Sequence, residues 1–190
     1  MNTITSPPEY IFDPNTYPLD PGVRLIEASA GTGKTFSLAH LLLRLITEKK
    51  YSLDEILIIS FTEATASDIK SVVGRRLVEA LKALDTLNKE NKYQSPDEVL
   101  SDWIKKNVDG NQNRINFSSA ILKSLESIDT ADITTIHGFC SRTLKREAIE
   151  TGIALNPTLE TNNNDLILEV AHDYWKKNIL ELEASEVRAL

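Results

Sequence analysis

Hydrophobic positions along the chain alternate between continuous runs and helically spaced stripes, and that alternation predicts a mixed α/β fold. Val23 to Glu27 is a short apolar run that reads as a buried strand, and Phe36 to Ile46 (FSLAHLLLRLI) is apolar almost all round, the pattern of a helix covered on most sides. Glu55 to Ser60 (EILIIS) is a continuous β-branched and leucine run, suited to a parallel strand buried on both faces. Strand, helix and strand in that order predict a right-handed crossover.

Beyond Ser60 the period changes. Ile69, Val73, Leu77, Leu81 and Leu84 recur at helical spacing and predict a long helix that buries one stripe, with Arg75 and Arg76 beside it as a solvated face. From Asn88 to about Ser118 the pattern decays into polar, asparagine-rich sequence with a short helical candidate around Val99 to Ile104, an expected insertion on the core. Order returns at Ala120, with a short strand expected around Ile133 and a helix from about Gly138 to Glu150, ended by Gly152. The first residues, to about Gly22, carry Pro7, Pro8, Pro14, Pro18 and Pro21 and read as a disordered or extended arm.

The chemistry concentrates where the first run meets its helix. Ala28 to Thr35 reads ASAGTGKT, a glycine-rich turn ending in Lys-Thr between a strand and a helix, the context of a phosphate-binding loop. Gly31 and Gly33 let the chain curl so that backbone N–H groups face polyphosphate, and the helix start adds the positive end of its dipole. Ala28, Ser29, Ala30, Gly31, Thr32, Gly33, Lys34 and Thr35 are therefore the expected nucleotide-binding residues. Lys34 would reach the β- and γ-phosphates of ATP, and the Thr35 hydroxyl would ligate Mg2+. Alanine stands at position 28 where the commonest form of the loop has glycine.

Composition narrows the classes. The 190 residues are 41% hydrophobic, enough for a core, and no apolar stretch could span a bilayer, so no membrane partner is expected and the location is expected to be cytoplasmic. The single cysteine, Cys140, excludes an intramolecular disulfide and is expected to be packed and inert. Twenty-one basic against 28 acidic residues give −7, of which residues 151–190 carry −4. That balance argues against a generic polyanion coat and leaves a locally lined nucleic-acid groove possible.

Two segments follow predicted strands and should emerge at the sheet edge that carries the phosphate loop: Ser60-Phe61-Thr62-Glu63-Ala64-Thr65-Ala66 and Thr134-Thr135-Ile136-His137-Gly138-Phe139-Cys140. Read alone, Phe61 and Phe139 fit a core as well as a stacking surface, and His137 fits a cap or a packed position.

IEASAGTGKT, then FTEATASDIKSVVGRRL, then TIHGFC resemble, in order and wording, the first motifs of superfamily 1 DNA helicases of the UvrD class, and within it the helicase-nuclease chains of the RecB family. The likeness spans roughly Arg24 to Glu150. It implies an incomplete P-loop NTPase (RecA-like) parallel sheet with helices on both faces and helical insertions. The implied layout is an arm over 1–22, the first part of motor domain 1A over 23–150, and the start of helical subdomain 1B over 151–190. It implies ATP and Mg2+ as cofactors, single-stranded and duplex-end DNA with RecC-like and RecD-like subunits as partners, and double-strand-break repair and recombination as the setting. Phe61, Thr62, Thr135, His137 and Phe139 would lie near single-stranded DNA, where hydroxyls hold phosphates and rings stack on bases.

Departures from the family pattern matter too. The chain has no apolar run ending in Asp-Glu, the pair that holds magnesium and orients water for hydrolysis: Asp54-Glu55 precede their strand, and Asp129 and Asp132 follow polar sequence. The glutamine that relatives place before the first strand, for adenine, is replaced by PLDPGVR. A truncated amino-terminal piece of an ATP-driven helicase and exonuclease, unable to hydrolyse ATP by itself, is the expectation. A self-contained P-loop kinase or nucleotide-binding enzyme and a non-catalytic scaffold module are the alternatives.

Overall fold

The computed structural model of the protein describes residues 12–29, 31–90, 96–152 and 162–179. It is a mixed α/β structure, mostly helical, divided into a unit ending at Cys140 and a second from Ser141 to Leu190.

In the first unit, α1 (Lys34–Thr47) buries Ala39, His40, Leu42, Leu43 and Ile46, the near-continuous apolar surface read from its sequence. A single 3₁₀ turn over Leu53–Glu55 follows, its entry closed by Ser52 and Glu55 in a reciprocal capping arrangement, so the strand expected from Glu55 begins only at Ile58. Strand β1 (Ile58–Ser60) pairs in parallel with β2 (Ile133–Thr135), Ile58 opposite Ile133 and Ser60 opposite Thr135. Between them lie α2 (Glu63–Glu90), α3 (Glu98–Asn107) and α4 (Gly110–Glu126). The long helix α2 packs on α1, on α4 and on both strands, and its stripe of Ile69, Val73, Leu77, Ala80 and Leu84 is buried.

Four expectations need correction. Val23 to Glu27 is not a strand: the sheet of the described residues pairs β1 with β2 and offers this segment no ladder, and Val23 and Leu25 stay exposed. Cover on both sheet faces is incomplete: α2 packs on both strands and Thr134 is buried, but its partner Ile59 remains 45% exposed. The polar stretch is no appendage, since α3 inserts Leu100, Trp103 and Ile104 into the core at the i, i+3, i+4 spacing of one helix face. The arm is not free from Phe12 onward: Arg44 donates through Nη1 to the carbonyls of Pro14 and Tyr17 at 2.8 and 2.7 Å, and Asn15 Nδ2 donates to the carbonyl of Val99. The arm before residue 12 lies outside the described residues.

After β2 comes α5 (Ile136–Arg146). The second unit holds α6 (Ala148–Thr151), ended by Gly152 in the left-handed region at φ 67° as its sequence predicts, and α7 (Asn164–Asn178), with Leu166, Ile167, Val170 and Trp175 exposed. No helix of the described residues is long and apolar enough to cross a membrane.

Candidate functional site: a phosphate loop and a threonine-capped sheet edge

The loop before α1 takes its shape from two glycines. Gly31 and Gly33 sit at φ 77° and 85°, a region that L side chains rarely enter, and nothing lies within 4 Å of where a Cβ would stand on either. Conformation, not space, is therefore what calls for glycine there. Gly33 is the residue at the start of α1, which has no side-chain cap and no acidic residue in its first turn. Its leading N–H groups are left for an external acceptor, with the positive end of the helix dipole behind them.

Ser29 shapes the other side of the loop, where its carbonyl accepts from Thr32 Oγ1 at 2.8 Å. Lys34 folds back over the loop, donating from Nζ to the carbonyls of Ala28 at 2.9 Å and Ser29 at 2.7 Å. Those two carbonyls hold the ammonium against the loop that leads into α1. Ala28, Ser29 and Gly31 to Lys34 are exposed and Thr35 is half-buried, while Ala30 lies outside the described residues. These features fit a polyphosphate. The Thr35 hydroxyl is an oxygen donor of the kind that Mg2+ accepts.

The second group of residues lies at the carboxyl end of β1 and β2. β2 runs directly into α5 and β1 reaches α2 through Phe61 and Thr62, and each helix is capped by threonine. Thr62 Oγ1 accepts from the N–H of Thr65 at 3.1 Å and caps α2, and Thr135 Oγ1 accepts from the N–H of Gly138 at 3.1 Å and caps α5. Because Ser60 and Thr135 are in register, two capped helix starts lie side by side at one sheet edge. Glu63, the first residue of α2, ties them together: Thr135 donates its hydroxyl to Glu63 Oε1 at 2.6 Å.

The candidate residues separate by exposure. Phe61 is 93% exposed, Thr62 and His137 are exposed, Phe139 is half-buried, and Thr135 is buried with its hydroxyl engaged by Gly138 and Glu63. Of the two aromatic residues, Phe61 is thus the one presented to solvent. Gly138 is tightly placed, since a Cβ there would stand 2.5 Å from Thr134 Oγ1. Cys140 is exposed, not packed as its sequence suggested, because it lies on α5, a helix that buries none of its residues.

Behind the loop, a buried polar cluster joins α1 to α2 and α3. Arg76, expected on a solvated face, is 2% exposed; its guanidinium pairs with Asp97, donates to His40 Nδ1 and lies 4.6 Å from the centre of the Phe36 ring. Position 76 is three residues after Val73, so helical spacing does place it at the stripe. Charge type obscured that signal. Asp97 also caps α3, accepting from the N–H of Leu100 at 2.8 Å. Burial raises its carboxyl, but the Arg76 and Leu100 hydrogen bonds outweigh this and hold it below the usual carboxylate range. His40 is lowered to about 4, first by burial and then by the charges of Arg76 and Arg44.

Comparison with known proteins supplies the frame for these two groups. The family described as UvrD/REP helicase N-terminal domain matches residues 16–190. The chain is 31% identical over 178 residues to RecBCD enzyme subunit RecB of Haemophilus influenzae, covering 90% of this chain and 14% of that protein. It is 30% identical over 178 residues to the RecB subunit of Escherichia coli, with the same coverage of each. The RecB subunit of Mycobacterium tuberculosis is 32% identical over 154 residues, 81% of this chain and 13% of that protein. The chain therefore spans about 14% of the length of the first two relatives.

Proposed function

From the premise that the chain belongs to the UvrD/REP helicase N-terminal domain family, we propose that it is the ATP-binding opening of a RecB-like, ATP-dependent DNA helicase and exonuclease subunit. In this reading the chain is part of an incomplete RecA-like motor domain, with residues 23–150 in domain 1A and 151–190 opening subdomain 1B. Ala28 to Thr35 hold the phosphates, Lys34 neutralises the β- and γ-phosphates, and Thr35 ligates magnesium. The carrying observation is the loop itself: an uncapped helix start, two glycines at positive φ and a lysine poised over them, inside the family match.

Phe61, Thr62, His137 and Phe139 are assigned to a single-stranded DNA face. Exposed rings stack on bases, and adjacent helix starts favour phosphate. Thr135 supports that face from within. In the whole protein, ATP turnover would drive translocation from a duplex end, in a cytoplasmic complex with RecC-like and RecD-like subunits, during repair and recombination of broken DNA. The chain alone is proposed to bind nucleotide without useful turnover, because no apolar run of its sequence ends in the Asp-Glu pair that hydrolysis requires.

Titration with a fluorescent ATP analogue tests the reading. Saturable, magnesium-strengthened binding is expected, with Lys34→Ala weakening it about tenfold or more through loss of a charge-assisted contact, and Thr35→Ala removing the magnesium effect. Binding indifferent to Lys34 would overturn the assignment of the loop. ATP turnover that disappears in Lys34→Ala would overturn the claim of inactivity.

A further inference from the structure

Glu63 has no place in the roles assigned above, yet it makes a side-chain hydrogen bond between the segments that follow the two strands. Its carboxylate accepts from Thr135 Oγ1 at 2.6 Å, and the same oxygen of Thr135 accepts from the Gly138 N–H at 3.1 Å. The Thr135 hydroxyl has one proton to give, so this chain of bonds has a fixed direction: Gly138 N–H to Thr135, Thr135 O–H to Glu63. Space fixes it further. Thr135 is 4% exposed, and Gly138 leaves no room for a Cβ beside Thr134 and Thr135.

On one side of this link, Phe61 and Thr62 immediately precede Glu63. On the other, His137 and Phe139 flank Gly138. Phe61 and Thr62 form the link between β1 and α2, His137 and Phe139 sit on the first turn of α5, and the strands behind them are short, three residues each. Two short strands give limited control over the angle between the helices that follow them. A charge-assisted hydrogen bond at the helix starts supplies the missing constraint.

We propose that Glu63 is a positioning residue of the nucleic-acid face, its carboxylate locking the segment after β1 to the segment after β2 through Thr135, so that Phe61 and Thr62 are held in register with His137 and Phe139 for successive nucleotides of one strand. This rests on the single-stranded DNA reading of that face. The opposite role is chemically conceivable: a carboxylate between two helix starts stands where a phosphate would, and would then compete with DNA. The two roles give opposite signs, which makes the test decisive.

The test is fluorescence anisotropy of labelled oligothymidylate with the full chain, well below the melting temperature of every variant, with ATP-analogue affinity measured alongside as a check on folding. Glu63→Ala and Thr135→Val are each expected to weaken DNA binding by about tenfold, the loss of one hydrogen bond to a charged group. The double variant should be little weaker than either single one, because both remove the same link. Glu63→Gln keeps an acceptor oxygen and Thr135→Ser keeps the hydroxyl, so both should stay within about threefold of the unaltered chain. Unaltered affinity in Glu63→Ala, additive losses in the double variant, or no recovery by Gln and Ser would overturn the link. Tighter binding in Glu63→Ala would overturn it in favour of a phosphate mimic. No DNA binding by the unaltered chain, with nucleotide binding intact, would instead overturn the DNA reading of the face and the link with it.

Discussion

Arg76 Nη2 lies 2.8 Å from His40 Nδ1 across the interface of α1 and α2. A guanidinium can only donate, so Nδ1 accepts and the imidazole proton sits on Nε2, where it is given to Asn15 Oδ1 at 2.7 Å. One buried histidine thereby joins the N-terminal segment, the helix of the phosphate loop and the long helix α2. It does so only as the neutral form.

Stability should therefore fall on mild acidification. His40 is lowered to about 4 in the fold against 6.5 for an unconstrained imidazole. Above 6.5 both states are neutral and nothing is lost; between 6.5 and about 4 the unfolded chain takes up a proton that the folded chain refuses. Over that window the group costs about 3 kcal/mol in total. Asp97, held low, keeps its contribution through most of this range and loses it only as pH falls through its own depressed value. Urea titrations at a series of pH values should give a slope close to one proton, reduced by about one in His40→Gln. An unchanged slope in that variant would assign the proton to another group.

Gly138→Ala should lower the melting temperature although alanine is the better helix former. The propensity gain is about 1 kcal/mol, whereas the new Cβ would stand 2.5 Å from the Oγ1 of Thr134, a side chain only 4% exposed. Overpacking of that kind costs about 1–3 kcal/mol. Thr134→Ala removes the obstructing oxygen, so the double variant Gly138→Ala with Thr134→Ala should melt above the sum of its parts. Additive losses would show that the clash is relieved elsewhere.

Trp103 anchors what its surroundings disguise. It is fully buried, its indole N–H donates to Glu48 Oε1 at 2.9 Å, and its ring stacks on Phe117 with centroids 5.5 Å apart. Trp103→Ala should destabilise the chain by about 3–5 kcal/mol, and Trp103→Phe by roughly 1–2 kcal/mol, through the lost hydrogen bond to Glu48, whose Oε1 keeps Arg44, and through lost volume. Equilibrium unfolding followed by circular dichroism measures both. A loss below about 1 kcal/mol for the alanine variant would make α3 an appendage after all.

The same residue shows where the sequence was legible. Uninterrupted patterns were read correctly: α1 from its all-round apolar surface, the α2 stripe from Ile69 to Leu84, β2 at Ile133, and Gly152 at a helix end. Three kinds of physics hid the rest. The exposed asparagines Asn111, Asn113 and Asn116 masked α4, and the polar surroundings of α3, read as a short helical candidate, hid that it belongs to the core. A buried arginine looked like surface because its partners, His40 and Asp97, lie 36 and 21 residues away. Val23 to Glu27 has strand composition, but a strand is a property of two segments, and no partner was visible in its own residues. In the candidate site, the turn at Gly31 and Gly33 was legible because glycines before a helix take positive φ readily, whereas the contact of Glu63 was not, its partner Thr135 lying 72 residues further on.

Phe61 separates a binding role from a packing role more cleanly than any neighbour. At 93% exposure its ring contributes almost nothing to the core, so Phe61→Ala should change unfolding free energy by no more than about 0.5 kcal/mol. A ring stacked on a base is worth about 1–3 kcal/mol, so the same substitution should weaken single-stranded DNA binding by roughly 5- to 150-fold. Phe61→Tyr keeps the stacking face and should bind almost as the unaltered chain does. Phe139 is half-buried and should behave otherwise, Phe139→Ala costing stability as well as affinity. Anisotropy titrations with labelled oligothymidylate, paired with urea unfolding, resolve the two. Unaltered DNA affinity in Phe61→Ala would remove this ring from the nucleic-acid face.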